Sequence, residues 1–414
     1  MSVTAFARFP NCLVVGEGAV QTIGEHIRKF GDISRVIVIT DEGLKSLPIV
    51  TGLMKTLSEQ GFTATLFGEV RSLPTDRNVN TVVETMKAND IQAVVAIGGG
   101  SAMDCARAAN AVYSYGGSLD DHNVIHHKYN YSKQVLKPYL AIPTTSGTGS
   151  EVAAACGIIK TDPVTGEGLD FFSLISPQLI PDVSIIDPLM SIGLSPSITA
   201  ATGLDALTHA YEAMVSPVEL PLADGLSLEA IYLVFNNLRT AVIHGDNVEA
   251  RLNMAVCATT ATMAFQQCGL GLVHGISEGL SAFALVPHGV ANGVLLPPVM
   301  AFNSPCVLPK MVRIAAAMGV NTFNLTPQQA AAQAEAEVKA LMRDIDMPTT
   351  LAEYLTQREQ ARPDLFKPLP RAVVDQSAKF AVGSHFVHTN PRSVTSADIY
   401  RILEEQFAGY KFAD

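Results

Sequence analysis

The feature that most constrains the fold is a short apolar run that ends in a glycine-rich turn. The run is Val94-Val95-Ala96-Ile97, and Gly98-Gly99-Gly100-Ser101 follows it at once. A short apolar segment bounded by glycines is typical of a buried parallel strand, and residues 101–110 have helical composition. A strand, a Gly-rich turn and a helix point free backbone N–H groups at an anion, most often a phosphate. A turn that merely reverses the chain is equally typical of these residues.

Strands and helices alternate through the first half of the chain. This alternation predicts an α/β fold with a doubly wound parallel sheet, which binds ligands at the carboxyl ends of its strands. A second polar loop, 143–151, directly follows a predicted strand, so we expect both loops at the same edge of the sheet. The predicted strands are 36–40, 63–67, 94–97 and 139–142, and the predicted helices between them include 48–60 and 76–89.

The second half of the chain has helical periodicity and no convincing strands. Pro188, Gly193 and Pro196 punctuate the change. We therefore predict a dinucleotide-binding α/β domain over 1–190 and an all-helical domain over 191–414. The predicted helices are 197–215, 222–243, 248–267, 274–285, 327–344 and 396–407.

Composition excludes several classes of protein. The 414 residues are 48% apolar and 16% charged, which indicates a folded chain long enough for two cores. The net charge of −11 argues against nucleic acid and anionic membrane surfaces as partners. Six scattered cysteines without a CxxC pair indicate the reducing cytoplasm, and no secretory signal or uninterrupted apolar span is evident.

Four residues in the second half have the chemistry of a metal site. Asp205 and His209 are four positions apart in one predicted helix, so they leave the same face. His274 begins a later helix, and His288 follows Pro287. Three imidazoles and one carboxylate suit Zn²⁺ or Fe²⁺. Spacing alone does not exclude the alternative that these histidines are hydrogen-bonded core or surface residues without a metal.

The sequence resembles the iron-containing (group III) alcohol dehydrogenase family over essentially its whole length. The family uses no GxGxxG fingerprint, and none is present at the turn. Seven matching segments carry the resemblance: 9–11 with 16–19, 98–104, 143–151, 200–209, 271–275, 287–292 and 389–392.

The resemblance implies an N-terminal Rossmann-like domain, an all-helical C-terminal domain and an intervening metal site. It implies an enzyme that transfers hydride between a small primary alcohol, or its aldehyde, and NAD(H), while a metal polarises the oxygen. The implied ligands of Fe²⁺ (or Zn²⁺) are Asp205, His209, His274 and His288. The implied contacts of the cofactor are Gly98, Gly99, Ser101, Asp104, Thr144, Thr145, Thr148, Ser150 and Leu189.

Asp41 ends the 36–40 strand, where a carboxylate would repel a 2′-phosphate and favour NAD over NADP. A turn aspartate without a ligand role is the alternative. The resemblance also implies a homodimer in which Phe6–Val15 pairs across the interface.

Two departures from the family pattern concern the substrate and the cofactor. Where the family commonly has a histidine four residues after His274, this chain has Glu278. Glu278 could relay a proton, contact the substrate or, least expected, join the metal; a paired or surface carboxylate is the alternative. Such a carboxylate disfavours anionic substrates and favours a hydroxyl or a cationic group. The segment Thr165–Pro177 is longer than the family's usual segment and lacks the lysine that usually follows its Thr-Gly pair. The sequence leaves open whether Lys160 takes the place of that lysine.

Two other functions compete with a dehydrogenase. A metal-dependent lyase or cyclase on the same scaffold would need several Lys and Arg around a phosphorylated substrate, and few are present. A metal or nucleotide sensor would not need metal ligands and a cofactor turn together.

Overall fold

The chain divides into two compact units in a computed structural model. One unit lies within Arg8–Gly193 and the other within Leu194–Asp414. The structure describes Phe9 and residues 12–71, 73–126, 128–162 and 168–413, with the backbone alone for 168–171. In this part of the chain every named strand belongs to the first unit, and the second unit is helical. The predicted fold class is confirmed.

Six strands of the first unit form one sheet in the order β1-β8-β5-β4-β2-β3, and all neighbours are parallel. Because all six run in the same direction, their carboxyl ends lie at one edge. From β2 the chain moves to β3 on one side and then to β4 on the other, so the strand order reverses between β2 and β4. Open α/β sheets bind ligands at such a reversal. The strands are β1 Leu13–Val15, β2 Arg35–Asp41, β3 Thr63–Val70, β4 Ala93–Gly98, β5 Tyr139–Pro143, β6 Ala155–Thr161, β7 Gly168–Ile175 and β8 Val183–Ile186.

The central strand β4 is buried along its whole length. Helices cover both of its faces, which explains why its sequence is a continuous apolar run rather than an alternating one. The helix α4 continues to Tyr115, five residues beyond the predicted end, because Ala106, Ala109 and Val112 keep a face in the core. The helices of this unit are α1 Ile23–Arg28, α2 Pro48–Glu59, α3 Asp76–Ala88 and α4 Gly100–Tyr115.

The antiparallel hairpin of β6 and β7 was not predicted. It pairs Ala155 with Ile175 and Cys156 with Leu174. Its buried residues Ile158 and Leu174 lie in the same apolar core as α4. The hairpin is therefore stabilised by contacts with residues that are distant in sequence. The predicted long segment Thr165–Pro177 falls largely on β7, and residues 163–167 lie outside the described part of the chain.

The second unit packs nine described helices around a large apolar core that includes Leu204, Met254 and Leu295. The helices 288–317, 351–361 and 372–383 were not predicted. The helices are α5 Pro196–Val215, α6 Pro221–Ile243, α7 Val248–Cys268, α8 Leu272–Phe283, α9 His288–Ala317, α10 Pro327–Asp344, α11 Leu351–Ala361, α12 Ala372–Gly383 and α13 Ser396–Gln406.

The helix α9 runs through four prolines. Pro297, Pro298, Pro305 and Pro309 all lie inside it, and the backbone departs from helical angles at Val307. Among the described residues this is the one helix long and apolar enough to cross a membrane. The core of its own unit buries 72% of that apolar window, as is usual for a central helix of a folded domain.

Candidate functional site

The helix α5 presents two of the predicted metal ligands on one buried face. Asp205 and His209 are four residues apart, and both are almost fully buried. The hydroxyl of Ser195 caps the helix by accepting the N–H of Ile198, and Pro196 occupies its first position. These local signals fix where α5 begins, so Asp205 and His209 lie in its interior.

The other two histidines come from helices that pack against α5. His274 lies in the first turn of α8, and His288 begins α9. Their Nε2 atoms are 4.0 Å and 3.7 Å from Asp205 Oδ1, and His209 Nε2 is 3.7 Å away. The structure therefore brings all four predicted residues together, with three imidazole nitrogens around one carboxylate oxygen.

This donor set fits a divalent metal. Burial lowers the pKa of His209 to about 4 and also lowers that of His288, so both imidazoles are neutral at physiological pH. Burial opposes ionisation of Asp205, but the surrounding histidines outweigh it and hold its pKa below the ordinary value. His209 Nδ1 and Asn292 Oδ1 are buried and have no hydrogen-bond partner among the residues that the structure describes. Neutral imidazoles and one ionised carboxylate are the ligands that Fe²⁺ and Zn²⁺ take.

Two residues of this cluster were missed in the sequence. Glu212 Oε2 is 2.6 Å from His274 Nδ1. Asn292 Nδ2 donates to Asp205 Oδ1 at 2.7 Å, and it lies 3.1 Å from Nε2 of His274 and of His288. A signal was available in the sequence. Glu212 is three residues after His209 and is, with Asp205, one of two carboxylates in α5, and Asn292 is four residues after His288.

Glu278 lies one turn after His274 in α8 and is half-buried. It forms no hydrogen bond or ion pair with any other residue that the structure describes. Burial raises its pKa to about 7; the charge of Glu212 acts in the same direction, and His274 opposes it. A carboxyl group with this pKa can hold or release a proton near neutral pH.

In the other unit, the turn after β4 meets the loop after β5. Gly98 has φ +155°, and a Cβ there would come within 2.8 Å of Ala102 Cβ, so the turn requires glycine. Thr144 N–H donates to Gly98 O at 2.9 Å. A Cβ on Gly99 would touch Thr145 at 3.4 Å, and one on Gly100 would touch Thr148 at 3.1 Å. Thr145, Thr148 and Ser101 are half-buried at this edge.

Asp104 and Ser150 bond to each other rather than standing free. Ser150 Oγ donates to Asp104 Oδ1 at 2.8 Å, and the buried guanidinium of Arg107 donates to the same oxygen at 2.9 Å. Arg107 also donates to the carbonyls of Ala155 and Leu179. Burial raises the pKa of Asp104, and the charge of Arg107 offsets part of that effect. The network joins α4, the 143–151 loop and the β6–β7 hairpin.

Asp41 is the last residue of β2, and Leu189 lies shortly after β8. Asp41 Oδ1 accepts the N–H groups of Gly43 and Leu44 at 3.0 Å. Its Oδ2 would be 3.4 Å from a Cβ at Gly98, so its carboxylate lies beside the turn. Leu189 follows β8 and packs against the apolar core of the sheet.

Comparison with known proteins gives the same family for both units. The sequence profile of the iron-containing alcohol dehydrogenases matches residues 10–188, and that of the C-terminal part of the Fe-containing alcohol dehydrogenase family matches 199–407.

The chain is 34% identical over 400 residues to the 1,3-propanediol dehydrogenase of Klebsiella pneumoniae, covering 96% of this chain and 97% of that one. It is 31% identical over 395 residues to the NAD-dependent methanol dehydrogenase of Bacillus methanolicus, covering 95% and 98%. The crystal structure of a 1,3-propanediol oxidoreductase superposes with a TM-score of 0.88 at 32% identity, covering 98% of this chain and all of the other.

Profiles that span nearly the whole chain, relatives above 30% identity and a matching fold agree with the donor set described above. The predicted family, enzyme class and cofactors are confirmed. The chain belongs to the iron-containing alcohol dehydrogenases, the metal-dependent oxidoreductases that interconvert an alcohol and its aldehyde with NAD(H).

Proposed function

We propose that Asp205, His209, His274 and His288 hold the Fe²⁺ ion of this enzyme. The observation that carries the proposal is the position of three imidazole Nε2 atoms within 4.0 Å of Asp205 Oδ1. Zn²⁺ suits the same donors. When bound, the metal polarises the alcohol or carbonyl oxygen and NAD exchanges the hydride.

NAD(H) binds at the edge of the sheet where β2, β4 and β5 end. Gly98, Gly99 and Ser101 offer backbone N–H groups at the start of α4 to the pyrophosphate. Thr144, Thr145 and Thr148 line the neighbouring loop, and Asp41 selects NAD over NADP by repelling a 2′-phosphate. Asp104 and Ser150 act by holding the turn and the loop together, given the bond between them. Leu189 packs beside them.

The residues of the helical unit prepare the substrate for hydride transfer. Asp205 supplies a single negative charge, so the four ligands leave a net positive charge on the ion. Glu278 Oε accepts the alcohol proton during oxidation and returns it during aldehyde reduction, which its pKa of about 7 permits in both directions. Its charge also disfavours anionic substrates. The substrate class is a small primary alcohol, neutral or cationic.

A spectroscopic assay tests the proposal. The metal content of the purified protein is measured, and NADH formation at 340 nm is followed with Fe²⁺ or Zn²⁺ and a panel of small alcohols. We expect His274→Ala to lose metal and turnover together, since it removes one of the four proposed ligands. A His274→Ala protein that turns over fully without bound metal would refute the site.

We also propose that the enzyme is cytoplasmic and forms a homodimer. All six cysteines are free, which suits a reducing compartment. Among the described strands β1 is paired with β8 alone, and its Leu13 and Val15 are 39% and 50% exposed. A second copy would cover this edge. Of the proposed segment Phe6–Val15, residues 6–8, 10 and 11 lie outside the described part of the chain.

The competing functions have less support. Both family profiles are those of alcohol dehydrogenases, so a lyase or cyclase on this scaffold is not favoured. A sensor would show metal and NAD binding without NADH formation, and the assay above distinguishes it.

A further inference from the structure

We propose that Glu212 is a positioning residue that fixes the tautomer of His274, so that the ring offers its Nε2 lone pair to the metal. The proposal rests on the metal site proposed above.

The two oxygens of Glu212 each accept one N–H group at the start of α8. Oε1 accepts the backbone N–H of Val273 at 2.7 Å, and Oε2 is 2.6 Å from His274 Nδ1. An ionised carboxylate has no proton to donate, so Nδ1 must carry the proton of this hydrogen bond. Because Nδ1 is protonated in the neutral ring, Nε2 keeps its lone pair.

Glu212 is buried beside the start of α8, where its two oxygens meet the two N–H groups named above. Glu212 and His274 are 3% exposed, so water does not replace either contact. The first turn of a helix favours a negative charge, and Glu212 lies against the first turn of α8. A Cβ on Gly271 would come within 3.1 Å of Glu212 Oε1, so glycine at this position gives the carboxylate room.

The other side of the ring agrees with the same tautomer. His274 Nε2 is 3.1 Å from Asn292 Nδ2, which is a donor. The carboxylate oxygen Asp205 Oδ1 is 4.0 Å away, too far to accept a hydrogen bond from Nε2. If Nε2 were protonated, its N–H group would face the N–H group of the Asn292 amide, and no hydrogen bond could form between them. Within the described part of the chain His209 has no equivalent partner, since its Nδ1 is buried without a hydrogen bond. Among the three histidines, it is therefore His274 whose tautomer is fixed by a carboxylate.

The isosteric variant Glu212→Gln separates this role from simple packing. Gln has one acceptor oxygen and one donor NH₂ group, but both contacts of Glu212 require an acceptor. If the oxygen keeps the N–H of Val273, the NH₂ group faces His274 Nδ1 and moves the ring proton to Nε2. That nitrogen then cannot bind a metal ion until it loses the proton.

Nitrogen NMR of the metal-free, full-length protein with ¹⁵N-labelled histidine tests the tautomer directly. Spectra are recorded at pH 9, because Glu212 raises the pKa of His274 despite its burial and the ring must be neutral. The His274 signals are assigned by their loss in His274→Gln. We expect a protonated Nδ1 and an unprotonated Nε2 in the parent protein, and a shift towards protonated Nε2 in Glu212→Gln.

Metal affinity gives a second readout, with Zn²⁺ as the probe and a chelator as the competitor. We expect Glu212→Gln to weaken Zn²⁺ binding by about 10- to 100-fold, the usual effect of removing an outer carboxylate from a ligating histidine. Glu278→Gln is the matched control, because it removes a carboxylate one turn from His274 that has no bond to the ring. Glu212→Asp, which keeps the charge, should recover part of the affinity.

Three results would overturn the proposal. One is a parent protein in which His274 carries its proton on Nε2, a measurement that needs no variant to fold. Another is Zn²⁺ affinity in Glu212→Gln within twofold of the parent. The last is an equal loss in Glu278→Gln, which would indicate a general effect of charge. If the parent binds no metal at all, the proposed function itself fails, and the tautomer measurement still stands separately.

Discussion

At the scale of single residues, environment gives one residue type different roles. Burial lowers the pKa of His209 to about 4, while Glu212 raises the pKa of His274 despite its burial. Glu278 is the residue by which this chain departs from the family pattern on the helix that carries His274. It is half-buried and bonds to no other residue in the described part of the chain, so we expect its charge to act on a bound substrate.

We expect Glu278 to set the preference for substrate charge. Two unit charges about 8 Å apart at an effective dielectric of about 20 interact by about 2 kcal/mol, a factor of roughly 30 in kcat/KM. Relative to a neutral alcohol, Glu278→His and Glu278→Gln should therefore raise kcat/KM for an anionic alcohol and lower it for a cationic one. The assays are run at pH 9, above the pKa of about 7 of this carboxyl group. Unchanged relative values for the three alcohols would refute this role.

At the scale of elements, one buried arginine holds together three segments of the sheet unit. Arg107 on α4 donates to Asp104, to Ser150 O at 2.5 Å and to Ala155 O at 2.7 Å. These partners belong to α4 itself, to the loop after β5 and to the start of β6. The edge proposed to bind NAD therefore depends on a side chain that is 1% exposed.

Arg107→Met should destabilise the protein by about 3 kcal/mol or more, because it leaves Asp104 and several carbonyls without their partner. The free energy of unfolding in urea measures this. The double variant Asp104→Asn/Arg107→Met should recover part of the loss, since it removes the uncompensated charge. Arg35→Met, which breaks the exposed pair with Asp90 in the same unit, is the control and should cost less than about 1 kcal/mol. Equal losses in the two single variants would contradict the argument.

At the scale of the whole molecule, the proposed metal ligands link distant parts of the helical unit. They come from α5, α8 and α9 and span 84 positions of the sequence, from residue 205 to residue 288. An ion that binds all four residues binds the folded state only, so it stabilises that state by mass action.

Removal of the metal should lower the free energy of unfolding of the helical unit. At a free metal concentration of 1,000 times Kd the expected loss is about 4 kcal/mol. Thermal unfolding with and without a chelator measures it. The His274→Ala protein should respond little to the chelator, because it lacks a ligand. A parent protein whose unfolding temperature is the same in both conditions would contradict a four-ligand site.

The sequence by itself determined the parallel-sheet class, the edge at which its loops meet and the face shared by Asp205 and His209. The first two follow from the alternation of strands and helices along the chain, and the third follows from the periodicity of a single helix, so both kinds of pattern can be read locally. Only the tertiary structure decided that Glu212 bonds to His274, that Asp104 and Ser150 bond to each other, and that α9 continues through its prolines. Contacts between residues 46 to 62 positions apart depend on how helices and strands pack, and no local pattern encodes that.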